Sequence, residues 1–146
     1  GMKPTVRTHF RENLGAVLQR GGHFRLYGEL RSGQAGGTRY FGYNNGRWRS
    51  KLDAQQAFAE VRGHLLGAQM GVMVGRMTFL DVPPYVSAGS VYPTIPYSWN
   101  GVRGYAFWKN FRVDLFDLTM TNWTLKNVPF AGQVGYKTRL FGAYTS

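Results

Sequence analysis

Tyr40-Phe41-Gly42-Tyr43-Asn44-Asn45-Gly46-Arg47-Trp48-Arg49-Ser50-Lys51-Leu52 reads as strand, turn, strand. Asn45-Gly46 supplies the two positive-φ positions that a type I′ turn requires. In the second arm Trp48, Ser50 and Leu52 share one face, and Arg47, Arg49 and Lys51 share the other. Asp53 then stands as an N-cap with Gln56 three residues on, which predicts a helix over 54–66. Phe58, Val61 and Leu65 form its apolar stripe, and Gly67 is its natural stop.

Upstream, Thr8 as a cap predicts a first helix over His9–Arg20, with Phe10, Leu14, Val17 and Leu18 on one face and Gly21-Gly22 ending it. Phe24, Leu26 and Leu30 alternate with Arg25, Tyr27, Glu29 and Arg31, the pattern of a half-buried strand. Ser32–Gly37, with three glycines, reads as a loop. Downstream, Met70–Leu80 reads as a buried strand with a bulge at Gly75, its methionines serving as adaptable filler. Over 81–100, Pro83, Pro84, Pro93 and Pro96 impose a long irregular arm. Its Tyr85, Tyr92, Tyr97 and Trp99 are the candidate interface residues, expected to pack on a neighbouring subunit. Val102–Trp108 and Phe111–Met120 form a hairpin around Lys109-Asn110, and Trp123–Val128 and Gln133–Tyr144 are further strand candidates. The final stretch alternates Val134, Tyr136, Thr138 and Leu140 with Lys137 and Arg139, which reads as an edge strand.

The chain has 146 residues, 43% of them hydrophobic, enough for one domain with a core. Gly1 ahead of Met2 reads as a tag remnant, so the domain is counted over 2–146. Twenty glycines alongside 16% aromatic residues favour turns, bulges and pleated surfaces. The expected class is therefore α+β and β-rich, an antiparallel sheet or sandwich with one or two short helices and the irregular arm. No cysteine is present, so disulfides and thiolate metal sites are excluded. No apolar run reaches the length of a membrane helix, and the N-terminus shows no signal-peptide core. A β-barrel of the outer membrane is disfavoured at this level, because sustained lipid-facing alternation with aromatic girdles is not visible.

Eighteen Lys and Arg against seven Asp and Glu give a net charge of +11, and thirteen of the cations are arginine. Such a charge draws a domain toward nucleic acid by counterion release, or toward acidic neighbours, or serves solubility alone. A nucleic-acid face would use Arg39, Arg47, Arg49 and Lys51 with nearby aromatics. The plainer reading of the same strand is a solvated charged face with Trp48 turned to the core. His9, His23 and His64 do not sit at zinc-ligand spacing, so no metal and no cofactor is expected. Asp114 and Asp117 would face opposite sides of a strand, which does not supply two convergent carboxylates. Glu60 and His64 read as a solvated pair on the second helix. No nucleophile elbow, phosphate loop or dinucleotide fingerprint occurs, so no enzymatic activity is expected.

Ser32-Gly33-Gln34-Ala35-Gly36-Gly37, then Gly46-Arg47-Trp48-Arg49, then 57–67 with its Ala and Glu, then Gly71–Phe79 follow one another as a set. Over residues 30–84 that set resembles the N-terminal part of distal tail (tail-hub) proteins of long-tailed bacteriophages and gene-transfer particles. The resemblance implies a non-enzymatic structural subunit that assembles into a ring or particle with itself and other subunits, in the virion or in the host cytoplasm during assembly. A basic nucleic-acid-binding domain is the alternative.

Overall fold

The computed structural model describes residues 7–37, 50–78, 97–121 and 138–146. Every regular element among the described residues is a β-strand: β1 Arg7–Arg20, β2 Phe24–Gly37, β3 Ser50–Leu65, β4 Ala68–Met77, β5 Trp99–Trp108, β6 Phe111–Met120 and β7 Arg139–Thr145. They form one antiparallel sheet in sequence order, each strand beside its predecessor. A sandwich is not formed among these residues.

Two expected helices are strands. Residues 9–20 lie in β1, paired with β2 from Arg7↔Gly37 to Arg20↔Phe24, so Ser32–Gly37 is strand and not loop. Residues 54–65 lie in β3 between β2 and β4. Ladder pairing on both sides of β3 satisfies its backbone, and its side chains fit a period of two, which overrides the helix propensity of its Ala, Gln and Glu residues. Asp53 caps no helix; its Oδ1 accepts from the backbone N–H of Ala54 at 2.8 Å. Gln55 is an extra residue in β3, since Glu29 pairs with Gln56 and Leu30 with Ala54. Such a bulge turns its side chain out of the alternation, and here the Gln55 amide donates to Ser98 Oγ at 2.7 Å.

The hairpin expected around Lys109-Asn110 and the strand expected over Phe24–Arg31 are present. The Asn45-Gly46 turn, most of the arm at 81–100 and Trp123–Val128 lie outside the described residues.

One end of the sheet is closed by tight turns: Gly21-Gly22-His23, Leu66-Gly67 and Lys109-Asn110. At the other end the connections span 38–49, 78–98 and 121–138. Leu66 and Gly67 have φ of 51° and 76°, the two positive values of a type I′ turn. Leucine carries a Cβ penalty there that asparagine largely avoids. Leu66→Asn is expected to raise stability by about 1 kcal/mol, read as a later midpoint in denaturant unfolding.

Register carries side chains in rows across the sheet. Leu18, Leu26, Ala59, Val74 and Val102 are consecutive partners from β1 to β5. So are Phe24, Val61, Val72, Gly104, Leu115 and Ala143 from β2 to β7. The row between them holds Arg25, Glu60, Met73, Arg103 and Phe116, and the next row toward the tight turns holds Arg62, Gly71, Tyr105, Asp114 and Tyr144. The first kind of row is exposed and the second is the covered face of a curved sheet. At the end of the long connections that covered face is apolar, where Phe58, Met73, Met77, Trp99, Phe116 and Leu118 pack together.

Candidate functional site: a charged inner face and an apolar outer face

The inner face concentrates ionisable side chains where a water-soluble sheet would place its core. Glu29, Arg31, Glu60, Arg103 and Asp114 are all buried, and Asp114 has no exposed surface. Each carboxylate is held by arginine. Asp114 Oδ1 accepts from Arg103 Nε at 2.8 Å and Nη2 at 2.7 Å, and Arg112 grips the same carboxylate from two residues away on β6. Glu29 Oε1 accepts from Arg31 Nη2 at 3.0 Å, while its Oε2 accepts from Tyr27 Oη at 3.0 Å and Gln56 Nε2 at 2.7 Å. Arg31 Nε in turn donates to Asn13 Oδ1 on β1 at 2.9 Å.

Glu60 is the hub of a second cluster. Its Oε1 accepts from Tyr105 Oη at 2.5 Å, and its Oε2 lies 2.6 Å from Arg25 Nε and 3.7 Å from Arg62 Nε. Its partners come from β2, β3 and β5, three strands brought together only by the fold. Arg25, Tyr27, Phe58, Glu60, Arg103 and Tyr105 border a cavity of about 550 Å3 on this face. Tyr105 lies flat against β4 where Gly71 has no side chain: a Cβ at Gly71 would meet the ring at 2.5 Å. Aromatic cover of a strand glycine of this kind fixes register.

The outer face is apolar along its middle. Leu14 and Leu18 on β1, Val72 and Val74 on β4, and Val102 on β5 stand open, with Leu14 73% exposed. The apolar run from Val102 to Trp108 covers roughly 20 Å of strand, and Phe24, Trp108 and Phe111 line its tight-turn end. Trp108 Nε1 donates toward the Leu66 carbonyl at 3.4 Å. Toward the long connections the outer face becomes polar at Arg76, Asn100 and Thr119, which occupy one row. Arg139 on β7 continues that row beside Thr119, and Asp117, on the next outward row of β6, joins it in a two-pronged ion pair with bonds of 2.7 and 2.5 Å.

The expectation that the strands lack sustained outward alternation does not hold for the described strands. Asp114 and Asp117 do lie on opposite faces, as their spacing requires. Glu60 and His64 are no helix pair: Glu60 is buried, and His64 is exposed near the end of β3. His23 Nδ1 lies 3.2 Å from the Arg62 carbonyl, and no group of metal-ligating side chains occurs among the described residues. Of the candidate interface residues, Tyr97 is half-buried and Trp99 lies in the hydrophobic cluster, while Tyr85 and Tyr92 lie outside the described residues. Of the candidate nucleic-acid residues, Lys51 takes a place in β3, and Arg39, Arg47 and Arg49 lie outside. The Glu60 and Asp114 clusters were not anticipated. Their signal was the alternation of Phe58, Glu60, Arg62 and His64 with Ala57, Ala59, Val61, Gly63 and Leu65.

No described helix is long and apolar enough to cross a membrane, a statement that leaves strands untouched. Compared with protein-family models, with curated proteins and with solved structures, the chain matches none of them.

Proposed function

We propose that this sheet is part of the wall of a transmembrane β-barrel, its outer face against lipid acyl chains and its inner face toward a polar lumen. The observation that carries the reading is the inverted polarity. Ion-paired arginines and carboxylates occupy the covered face, and leucine, valine and phenylalanine occupy the open one. In water an apolar band across five or more strands exceeds what a soluble monomer exposes. In a bilayer the same band is what an outer-membrane strand presents. Strand length supports the reading too, because β4, β5 and β6 have ten residues each and a tilted membrane strand needs about 9–11. So does the asymmetry of the ends, with tight turns on one side and longer connections on the other.

The test is reconstitution of the full protein into vesicles containing brominated phospholipid. Trp108 fluorescence is expected to be quenched, and the quenching to disappear in Trp108→Phe. A protein that is folded and monodisperse without detergent, and whose Trp108 ignores the brominated lipid, would refute the barrel.

A second reading keeps the architectural subunit, with neighbouring protein covering the outer face. The observation in its favour is the outward Asp117–Arg139 pair, which lipid tolerates only near the interface. On that reading detergent-free particles of defined size would form, and light scattering would measure them.

A further inference from the structure

The Glu60 and Asp114 clusters each hold two arginines to one carboxylate, and what each leaves open on the inner face is arginine. The Glu60 side chain is 3% exposed, against 32% for Arg25 and 21% for Arg62. Asp114 is wholly covered, while Arg112 keeps 17% of its side chain open. The third carboxylate, Glu29, is buried with Arg31. Arg11 adds a further cation beside that pair, on the same face of β1 as Asn13, whose Oδ1 accepts from Arg31. A solute on this face therefore meets guanidinium groups, with the carboxylates beneath them. Aromatic rings help to hold two of these groups in place. Arg25 lies over Phe58 at 5.3 Å and Arg112 over Phe107 at 5.0 Å.

The rest of the chain holds little that could reverse this sign. Its seven acidic residues are Glu12, Glu29, Asp53, Glu60, Asp81, Asp114 and Asp117. Glu12 shares the outward face of β1 with Phe10 and Leu14. Asp117 is paired outward with Arg139, and Asp53 lies 3.7 Å from Arg76. Outside the described residues the acidic side chains come down to Asp81, whereas the cations there include Arg39, Arg47, Arg49, Lys126 and Lys137.

We propose that the lumen bordered by this sheet admits small inorganic anions, chloride and phosphate among them, in preference to cations. The inference rests on the barrel reading and deepens it by naming the solute. Charges of one sign on a low-dielectric wall focus their field into the space they border. Arginine lining is how pores of this kind select anions. The cavity of about 550 Å3 between Arg25 and Arg103 is where the field and the space coincide, with Tyr27, Tyr105, Gln56 and Thr78 adding polar groups. At about 30 Å3 per water, it has room for an ion together with much of its hydration shell.

The experiment places the purified full protein in planar lipid bilayers with a KCl gradient across them, potassium and chloride having nearly equal mobilities in water. The zero-current potential is expected to take the sign of preferred chloride flow. Arg25→Gln, at the rim of the cavity, is expected to shift it toward potassium. Arg11→Glu is expected to shift it the same way and leaves the Glu60 and Asp114 clusters intact, since Arg11 stands exposed on β1. Trp108 quenching by brominated lipid is read on the same preparations. With quenching present, potassium selectivity, equal passage of both ions or no current at all would overturn the proposal. So would a potential that neither variant moves. Loss of quenching in the parent protein marks failure of the barrel reading itself, and the proposal falls with it.

Discussion

Val72→Arg is expected to destabilise the membrane-inserted protein by about 2–4 kcal/mol, the cost of arginine on the lipid face at mid-depth. Val72 sits in the middle of β4 with Val61 and Gly104 beside it, half-exposed on the outer face. A guanidinium there has no carboxylate in its row, since its neighbours out to Ala143 are all apolar or glycine. The same substitution at Thr119, on the polar row at the far end of β6, is expected to cost no more than about 1 kcal/mol. The measurement is the urea midpoint of refolding into lipid vesicles for both variants and the parent. The contrast separates the readings sharply. If the outer face met water, a half-exposed valine could become arginine within about 0.5 kcal/mol, and position along the strand would not matter. A flat profile would remove the membrane from the account.

The inner face explains why so many arginines coexist with so apolar an exterior. A charge in the wall of a barrel is tolerable only where it is paired and turned from lipid, and the Glu29, Glu60 and Asp114 clusters meet both conditions. A guanidinium can bond several acceptors in one plane, so one arginine ties together side chains from two or three strands. Arg31 does so between β1 and β2, and Arg103 between β5 and β6. The excess of cations over anions noted in the composition is thus spent partly inside the sheet, where it crosslinks strands.

Periodicity misled at two places, for reasons the residues make plain. Phe10, Leu14 and Leu18 are four apart, a spacing that lies on one helix face and, being even, also on one strand face. Only Val17 separated the alternatives: it would join the helical stripe, yet in β1 it points the other way from Leu18. In β3 the outward residues include Ala57, Ala59 and Gly63, too small to register as an apolar alternation. Phe58, the largest apolar residue there, faces inward beside Glu60. A rule that assigns the apolar face to the core fails when the core is polar. Where apolar and polar residues alternate, as in Phe24–Arg31, the strand was legible but its faces were reversed, since Phe24 and Leu26 are exposed while Glu29 and Arg31 are buried. The charged clusters were not legible, since their members lie up to 45 residues apart, as Tyr105 and Glu60 do.

Curvature itself rests on a pair of glycines, and Gly75→Val is expected to cost about 3 kcal/mol or more, combining positive-φ strain with a backbone clash. Gly75 has φ of 129°, and a Cβ there would lie 2.4 Å from the Ala57 carbonyl oxygen of the adjacent strand. It pairs directly with Gly101, where a Cβ would meet the Asp117 carbonyl oxygen at 2.1 Å. Two facing glycines free β4 and β5 to bend together, the device by which a sheet is turned toward closure. Phe58 and Leu118 flank the pair in the same row and fill the space above it. Valine at 75 must push β3 away, flatten the bend and loosen the contact between Phe58 and its neighbours. Gly63→Ala supplies the comparison, because its Cβ would meet nothing within 4 Å. In denaturant unfolding Gly63→Ala is expected to match the parent while Gly75→Val unfolds early. Equal midpoints for the two would show that the bend does not depend on the absent side chain.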